Sequence, residues 1–239
     1  MIEKIKNLSI FLPSYNEAQN LPDVIEDVVA VASRVALNFE VLIINDGSTD
    51  ETAKVASVLA EKYKQVRVIN HEKNRGYGAS LRSGFYNSRF DFIFFMDADG
   101  QFKMGEIDKL IELQRKTNAD LVVGSYRKRA VPLYRKLNTF LWQLVVFALF
   151  WFKVRDIDCG FKLIKKVVID KIDKLESERG AFISTELLVK AKKAGFKIVE
   201  VPVNHYPRLK GSGTGANLLV IIRSFLDLFK LWKKLRGLK

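Results

Sequence analysis

Five apolar residues in a row, Phe92-Ile93-Phe94-Phe95-Met96, run directly into Asp97-Ala98-Asp99-Gly100-Gln101. An aromatic and β-branched run of this kind suits a strand covered on both faces, as in a parallel sheet. Open α/β sheets bind ligands at the carboxyl ends of such strands, so the two carboxylates stand where a ligand would. One residue apart, they repel each other, and a divalent cation of the magnesium or manganese type is the simplest means of keeping both ionised. Taken alone, the same residues also suit an acidic turn, because Asp and Gly are ordinary turn residues. The rest of the chain has to decide between the two.

The pattern of an apolar run ending in polar residues recurs upstream. Leu8–Leu12 reads as a buried strand that Pro13 stops before Ser14-Tyr15-Asn16-Glu17. A helix follows from Leu21-Pro22 to about Leu37, and Val41–Ile44 is a second strand ending in Asn45-Asp46-Gly47-Ser48-Thr49-Asp50. Ser48 with Glu51 fits a capping box for the next helix, whereas Asp46 precedes the turn, is not needed by the cap, and is a candidate ligand contact. Val66–Ile69 is a third strand. Asn74-Arg75-Gly76-Tyr77-Gly78 then opens a helix reaching Phe85; it is no dinucleotide fingerprint, since Leu81 stands where the third glycine belongs.

A helix through Ile107, Leu110, Ile111 and Gln114 leads to the strand Leu121–Val123, ending at Gly124-Ser125-Tyr126-Arg127. This alternation predicts an α/β fold with a mostly parallel sheet flanked by helices. Asp156–Leu163 reads as a compact polar and glycine segment, Glu186 as a residue near a helix N-terminus, and Ile198–Val203 as an edge strand because of Pro202. His205 lies in a basic loop and has no second histidine at ligand spacing, which favours a structural role.

Composition narrows the partners. The 239 residues are 48% hydrophobic with no Pro- or Gly-rich linker, which is enough for one large domain, and a net charge of +13 calls for anionic partners. One cysteine, Cys159, and two histidines, His71 and His205, exclude an internal disulfide and disfavour a Cys/His zinc site. Met1–Asn7 lacks the apolar segment of a secretory signal, so the active domain is expected to stay cytoplasmic.

The uncharged run Leu137–Phe152 is flanked by Arg127-Lys128-Arg129, Arg135-Lys136, Lys153 and Arg155. It is shorter than the roughly 20 residues of a spanning helix. It suits a helix lying in a membrane interface with its cations snorkelling, or else a core helix. The tail from Ala216 to Lys239 is amphipathic: Leu218, Ile222, Phe225, Phe229 and Trp232 share one face, and Arg223, Asp227, Lys230 and Lys234 another. The chain therefore divides into a domain over 1–215, including an interface helix at about 134–152, and a C-terminal interface helix over 216–239.

Taken in order, Pro13-Ser14-Tyr15-Asn16-Glu17, Asn45–Asp50, Asn74–Gly78, Asp97–Gln101, Gly124-Ser125, Asp158-Cys159-Gly160-Phe161-Lys162 and Val201-Pro202-Val203 resemble the motifs of family 2 glycosyltransferases of the GT-A fold. The likeness is to their polyprenyl-phosphate branch, the dolichol-phosphate mannose or glucose synthases. It implies a GT-A sheet and transfer, with inversion, of a hexose from a nucleotide-diphosphate sugar to a polyprenyl phosphate, dolichyl or undecaprenyl, at the cytoplasmic face of a membrane.

By the same resemblance Pro13, Tyr15, Glu17 and Asp46 hold base and ribose. Asp97, Asp99 and Gln101 surround a magnesium or manganese ion on the diphosphate, with Asp99 and Gln101 favoured as its direct ligands, and Ala98 joins Asp97 and Asp99 in binding the donor. Arg208 and Lys210 close on the diphosphate, and Arg127, Arg135 and Thr139 meet the acceptor phosphate. Asp97, Asp99, Arg127 and Arg135 are thus the catalytic candidates, and a membrane-protein anchor is left open. Asn45-Asp46 departs from the Asp-Asp usual in the mannose synthases, and no Q-x-x-R-W segment of a processive synthase is present.

The chemistry follows from charge. The departing nucleotide diphosphate gathers negative charge that a metal neutralises as a Lewis acid. A phosphate monoester, with a second pKa of about 6, attacks with little need of a base. Transfer to a glycan or lipid hydroxyl instead would need one, with Glu186 and Asp158 as candidates. A nucleic-acid-binding module is a third reading of the charge, against which stands the lack of any nucleic-acid motif.

Overall fold

Successive residues of the central strands point to opposite faces of one sheet, and both faces are covered. Leu8, Ile10, Leu12, Val41, Ile43 and Phe94 belong to one core; Phe11, Leu42, Ile44, Ile93 and Phe95 belong to the other. This is the period-2 pattern of a strand buried on both sides. The structure is a computed structural model that describes residues 3–127, 133–151, 153–178, 180, 182–208, 210 and 218–237; the side chains of 133–140 and 218–224 lie outside that description.

The chain runs β1 (Ile5–Ser14), α1 (Leu21–Val35), β2 (Ala36–Asn45), α2 (Thr52–Lys62), β3 (Val66–Asn70), α3 (Tyr77–Asn87) and β4 (Phe92–Met96). A 3₁₀ turn (Met104–Glu106) leads into α4 (Ile107–Thr117), β5 (Leu121–Tyr126), α5 (Leu133–Phe150), β6 (Phe161–Lys165), α6 (Lys166–Lys171), α7 (Phe182–Lys193), β7 (Ile198–Val203) and α8 (Leu218–Leu235). The seven strands are ordered β3-β2-β1-β4-β6-β5-β7. All neighbours are parallel except β6, which is antiparallel to both β4 and β5. Helices α1, α2 and α4 cover one face, and α3, α6 and α7, with parts of α5 and α8, cover the other.

Three local expectations are corrected. Pro13 does not stop β1, which continues to Ser14. The pairing with β4 ends at Phe11–Phe95, so past that point β1 pairs with β2 alone, and a residue without an N–H costs no ladder bond on the β4 side. The first helix ends at Val35, and Leu37 already belongs to β2. The polar and glycine segment Asp156–Leu163 leads, as expected, into regular structure: its end supplies β6, whose Phe161 and Leu163 are buried beside β4. The Ser48–Glu51 capping box is not formed: the Ser48 hydroxyl accepts from the Asn16 N–H at 3.0 Å, and Asp50 instead accepts from the backbone N–H and hydroxyl of Thr52. A contact between two loops has displaced the local cap.

Helices α5 and α8 are neither wholly buried nor wholly exposed. Val146 of α5 and Leu228 and Leu231 of α8 sit in the core with Leu187 and Leu188 of α7, and the Trp142 indole N–H donates to Thr185 at 3.3 Å. Leu141, Leu144 and Phe147 on α5, Trp151 just after it, and Phe225, Leu226 and Phe229 on α8 face outward. Trp151 is 78% exposed. Among the described residues no helix is long and apolar enough to cross a membrane.

Candidate active site

Because β1, β2, β4 and β5 point the same way, their C-terminal ends deliver Tyr15-Asn16-Glu17, Asp46, Asp97–Gln101 and Arg127 to one edge of the sheet. The crossovers that make the sheet parallel are what gather residues so distant in sequence.

Asp46 is buried in a ring of donors. Its Oδ1 accepts from His71 Nδ1 at 2.6 Å and the Arg75 N–H at 2.9 Å, and its Oδ2 from the Gly76 N–H at 2.8 Å. The turn holding those amides is pinned from beneath, since a side chain at Gly47 (φ 62°) would come within 2.3 Å of the Lys73 carbonyl carbon.

Asp97 lies against Gly160, where a Cβ would meet Asp97 Oδ2 at 2.2 Å, and its Oδ1 accepts from the Tyr77 hydroxyl at 2.8 Å. Burial, followed by the charge of neighbouring Asp99, raises the Asp97 carboxyl to about 7; the Tyr77 hydrogen bond and the Lys162 charge oppose this and lose. Lys162 is itself wholly buried, donates to the Cys159 carbonyl, and has its pKa lowered by burial.

Asp99 accepts from the Gln101 N–H at 3.0 Å. Gln101 is tied to the segment after β7 in both directions, donating from Nε2 to the Tyr206 carbonyl at 2.9 Å and accepting the Tyr206 N–H at 2.8 Å. That tie brings in Arg208, whose guanidinium binds Glu17 and lies 3.7 Å from Asp99 Oδ2. Asn20 donates to the other Glu17 oxygen at 2.6 Å, yet burial outweighs these partners and raises the Glu17 pKa.

Glu17, Asp97 and Asp99 therefore crowd negative charge into a partly dry site, and burial together with the neighbouring charge raises Asp97. Among the described residues there is no group of three or more His, Cys, Asp and Glu able to enclose a metal. The donors fit an ion that takes one or two carboxylates and completes its shell with phosphate oxygens, the habit of magnesium and manganese. Asp97, Asp99 and Gln101 are the residues that could hold it.

The remaining expectations fall as follows. Pro13 is buried at the end of β1, Tyr15 is half-buried, and Ala98 is buried between the two aspartates. Lys210 is tied to Asp23 at 3.3 Å, with its carbonyl near Asn20 and accepting from Arg208 Nε. Arg127 is exposed at the end of β5. The side chains of Arg135 and Thr139 lie outside the described residues.

Glu186 is not at a helix N-terminus but inside α7, and is 2% exposed. It pairs with Lys190 at 2.7 Å and accepts from the backbone of Glu176 and Ser177 and from the Ser177 hydroxyl. Burial raises its pKa, but these bonds win and leave it lowered, which unsuits it as a base. Asp158 is exposed. His205 packs edge-on against Phe102 and Tyr126, a structural role.

Reading the sequence passed over His71, Tyr77 and Lys162 as site residues. Tyr77 and Lys162 sat within the motifs quoted. His71 carried no local signal, because its partner lies 25 residues away.

The profile described as glycosyl transferase family 2 matches residues 9–173. The chain is 34% identical over 226 residues to dolichyl-phosphate beta-glucosyltransferase of Homo sapiens, covering 87% of this chain and 69% of that protein. The protein of the same name from Saccharomyces cerevisiae is 28% identical over 220 residues, covering 82% of this chain and 66% of its own length. Among solved structures, glucosyl-3-phosphoglycerate synthase from Mycobacterium tuberculosis, in complex with Mn2+, UDP and glucosyl-3-phosphoglycerate, superposes with a TM-score of 0.74 at 17% identity, over 98% of this chain and 81% of that one. Mannosyl-3-phosphoglycerate synthase from Rubrobacter xylanophilus gives 0.72 at 18% identity, over 97% and 75%. At such identities these two show the shared fold alone.

Proposed function

The chain belongs to glycosyl transferase family 2, and on that premise we propose that it moves a hexose from a nucleotide-diphosphate sugar to a polyprenyl phosphate at the cytoplasmic face of a membrane. Glucose is the sugar the relatives' names favour. The observation that carries the reading is the cluster of Glu17, Asp97 and Asp99 with Arg208 bridging two of them, while Glu186, one of the two carboxylates considered as a base, is saturated with donors.

Asp97, Asp99 and Gln101 would hold a magnesium or manganese ion, which would supply Lewis-acid stabilisation of the departing diphosphate. Arg208 exchanges its carboxylate partners for the same phosphates and orients them, with Lys210 beside it. Asp46 and Glu17, with Pro13 and Tyr15, seat the nucleoside. Arg127 and Arg135 receive the acceptor phosphate and aim its oxygen at the anomeric carbon. Such an acceptor is already an anion at neutral pH. The saturated state of Glu186 is therefore consistent with the reaction and unsuits that residue as a base for a hydroxyl acceptor.

The outward apolar residues of α5 and α8 dip into the membrane interface. The test uses liposomes containing polyprenyl phosphate, UDP-glucose or GDP-mannose, and magnesium or manganese. Nucleoside diphosphate and a glycolipid should appear together, and Asp99→Ala should lower the rate by a hundredfold or more, on the order of losing one charge-stabilising contact. Unchanged turnover in Asp99→Ala overturns the assignment.

A further inference from the structure

His71 links Asp46 to α3. Its Nδ1 meets Asp46 Oδ1 at 2.6 Å, and its Nε2 meets the Ser83 hydroxyl at 2.8 Å, with the imidazole 5% exposed. A carboxylate only accepts, so Nδ1 carries the proton that is shared with Asp46. In neutral His71, Nε2 then accepts from the Ser83 hydroxyl. Both ring nitrogens are used, which fixes the orientation of the ring.

Asp46 has about four acceptor positions. Among the described residues His71 and the Arg75 N–H take those of Oδ1, and the Gly76 N–H takes one of Oδ2. One position on Oδ2 has no hydrogen-bond partner among the described residues. We propose that His71 is a positioning residue for donor recognition: the Ser83–His71–Asp46 chain holds the carboxylate so that its last acceptor position faces an N–H of the nucleotide base. This rests on the reading of Asp46 as a nucleoside contact and goes beyond it, because His71 touches no substrate itself.

Carboxylate, imidazole and hydroxyl in this order also make up a hydrolytic triad. Here Ser83 is the seventh residue of α3, in the body of a helix whose N–H groups are spent on its own hydrogen bonds. Among the described residues it has no paired amide donors to stabilise an oxyanion, so the chain orients rather than attacks.

Titration calorimetry of the full chain with UDP, and separately GDP, in excess magnesium tests the proposal. His71→Ala should weaken the preferred nucleotide about tenfold or more, the scale of a lost hydrogen bond to a charged group. In turnover, the donor KM should rise by far more than kcat falls. His71→Asn, whose amide can donate from near the Nδ1 position, should recover most of the affinity, which a general packing defect would not allow. Ser83→Ala should give a smaller loss in the same direction.

Wild-type affinity in folded His71→Ala overturns the proposal, as does failure of His71→Asn to recover any affinity lost. Asp46→Ala separates the two levels: if it too binds nucleotide like wild type, the donor reading of Asp46 falls and takes the proposal with it. If Asp46→Ala loses affinity while His71→Ala does not, only the positioning role falls. Labelling of Ser83 by a fluorophosphonate would overturn the orienting role in favour of a nucleophile.

Discussion

At the scale of single residues, burial decides what each charged or nucleophilic group can do. Glu186 and Lys190 form an ion pair at 2.7 Å with both side chains 2% exposed. Removing one partner strands the other, so Glu186→Gln should lose about 3–5 kcal/mol in urea unfolding at neutral pH. The Glu186 pKa is lowered in the folded state, so its contribution is present above the unfolded value of 4.5 and is lost as pH falls through the folded value. The gap between wild type and Glu186→Gln should therefore close in acid. Turnover per folded molecule should persist in the variant, and its disappearance would restore Glu186 as a base.

Cys159 behaves in the opposite sense. Burial pushes its thiol up to about 12, so it stays protonated and unreactive near neutrality. A thiol reagent at pH 8 should label the native protein far more slowly than the urea-unfolded chain; equal rates would mean that the DCGFK segment opens readily.

At the scale of elements, α5 and α8 each divide their apolar residues between the core and the surface. Leu228 and Leu231 dock α8 on the core, while Phe225, Leu226 and Phe229 remain outside. Lys234 adds a contact to Glu176 in the loop before α7. Phe229→Asp should leave the melting temperature nearly unchanged, since the ring is 49% exposed. It should cut vesicle partitioning about tenfold, the worth of one aromatic side chain in an apolar medium. Co-sedimentation with liposomes reads the effect, and undiminished binding would remove α8 from the interface.

At the scale of the whole molecule, the net charge of +13 acts as a field. Each basic residue near an anionic bilayer contributes about 1 kcal/mol, and that attraction is screened within a Debye length. Vesicles containing anionic lipid should bind more tightly than neutral ones, and raising salt from about 0.1 to 1 M should erase most of the difference. A salt-independent preference would point to a stereospecific lipid site instead.

The strand-to-carboxylate junction at Asp97, the parallel alternation and the two amphipathic segments were legible along the chain because periodicity and strand-end chemistry are local properties. What lay beyond local reading depended on which parts meet. Pro13 remains in β1 because β4 stops short of it, Ser48 serves Asn16 instead of its own helix, and Glu186 is claimed by a loop ten residues away. The same is true of His71, a lone histidine until β3 lies beside β2. The residues by themselves determined which chemistry this protein carries. Only the tertiary structure decided which carboxylates are crowded and which are satisfied, because hydrogen-bond partners and burial are set by contacts across the fold and not by position along the chain.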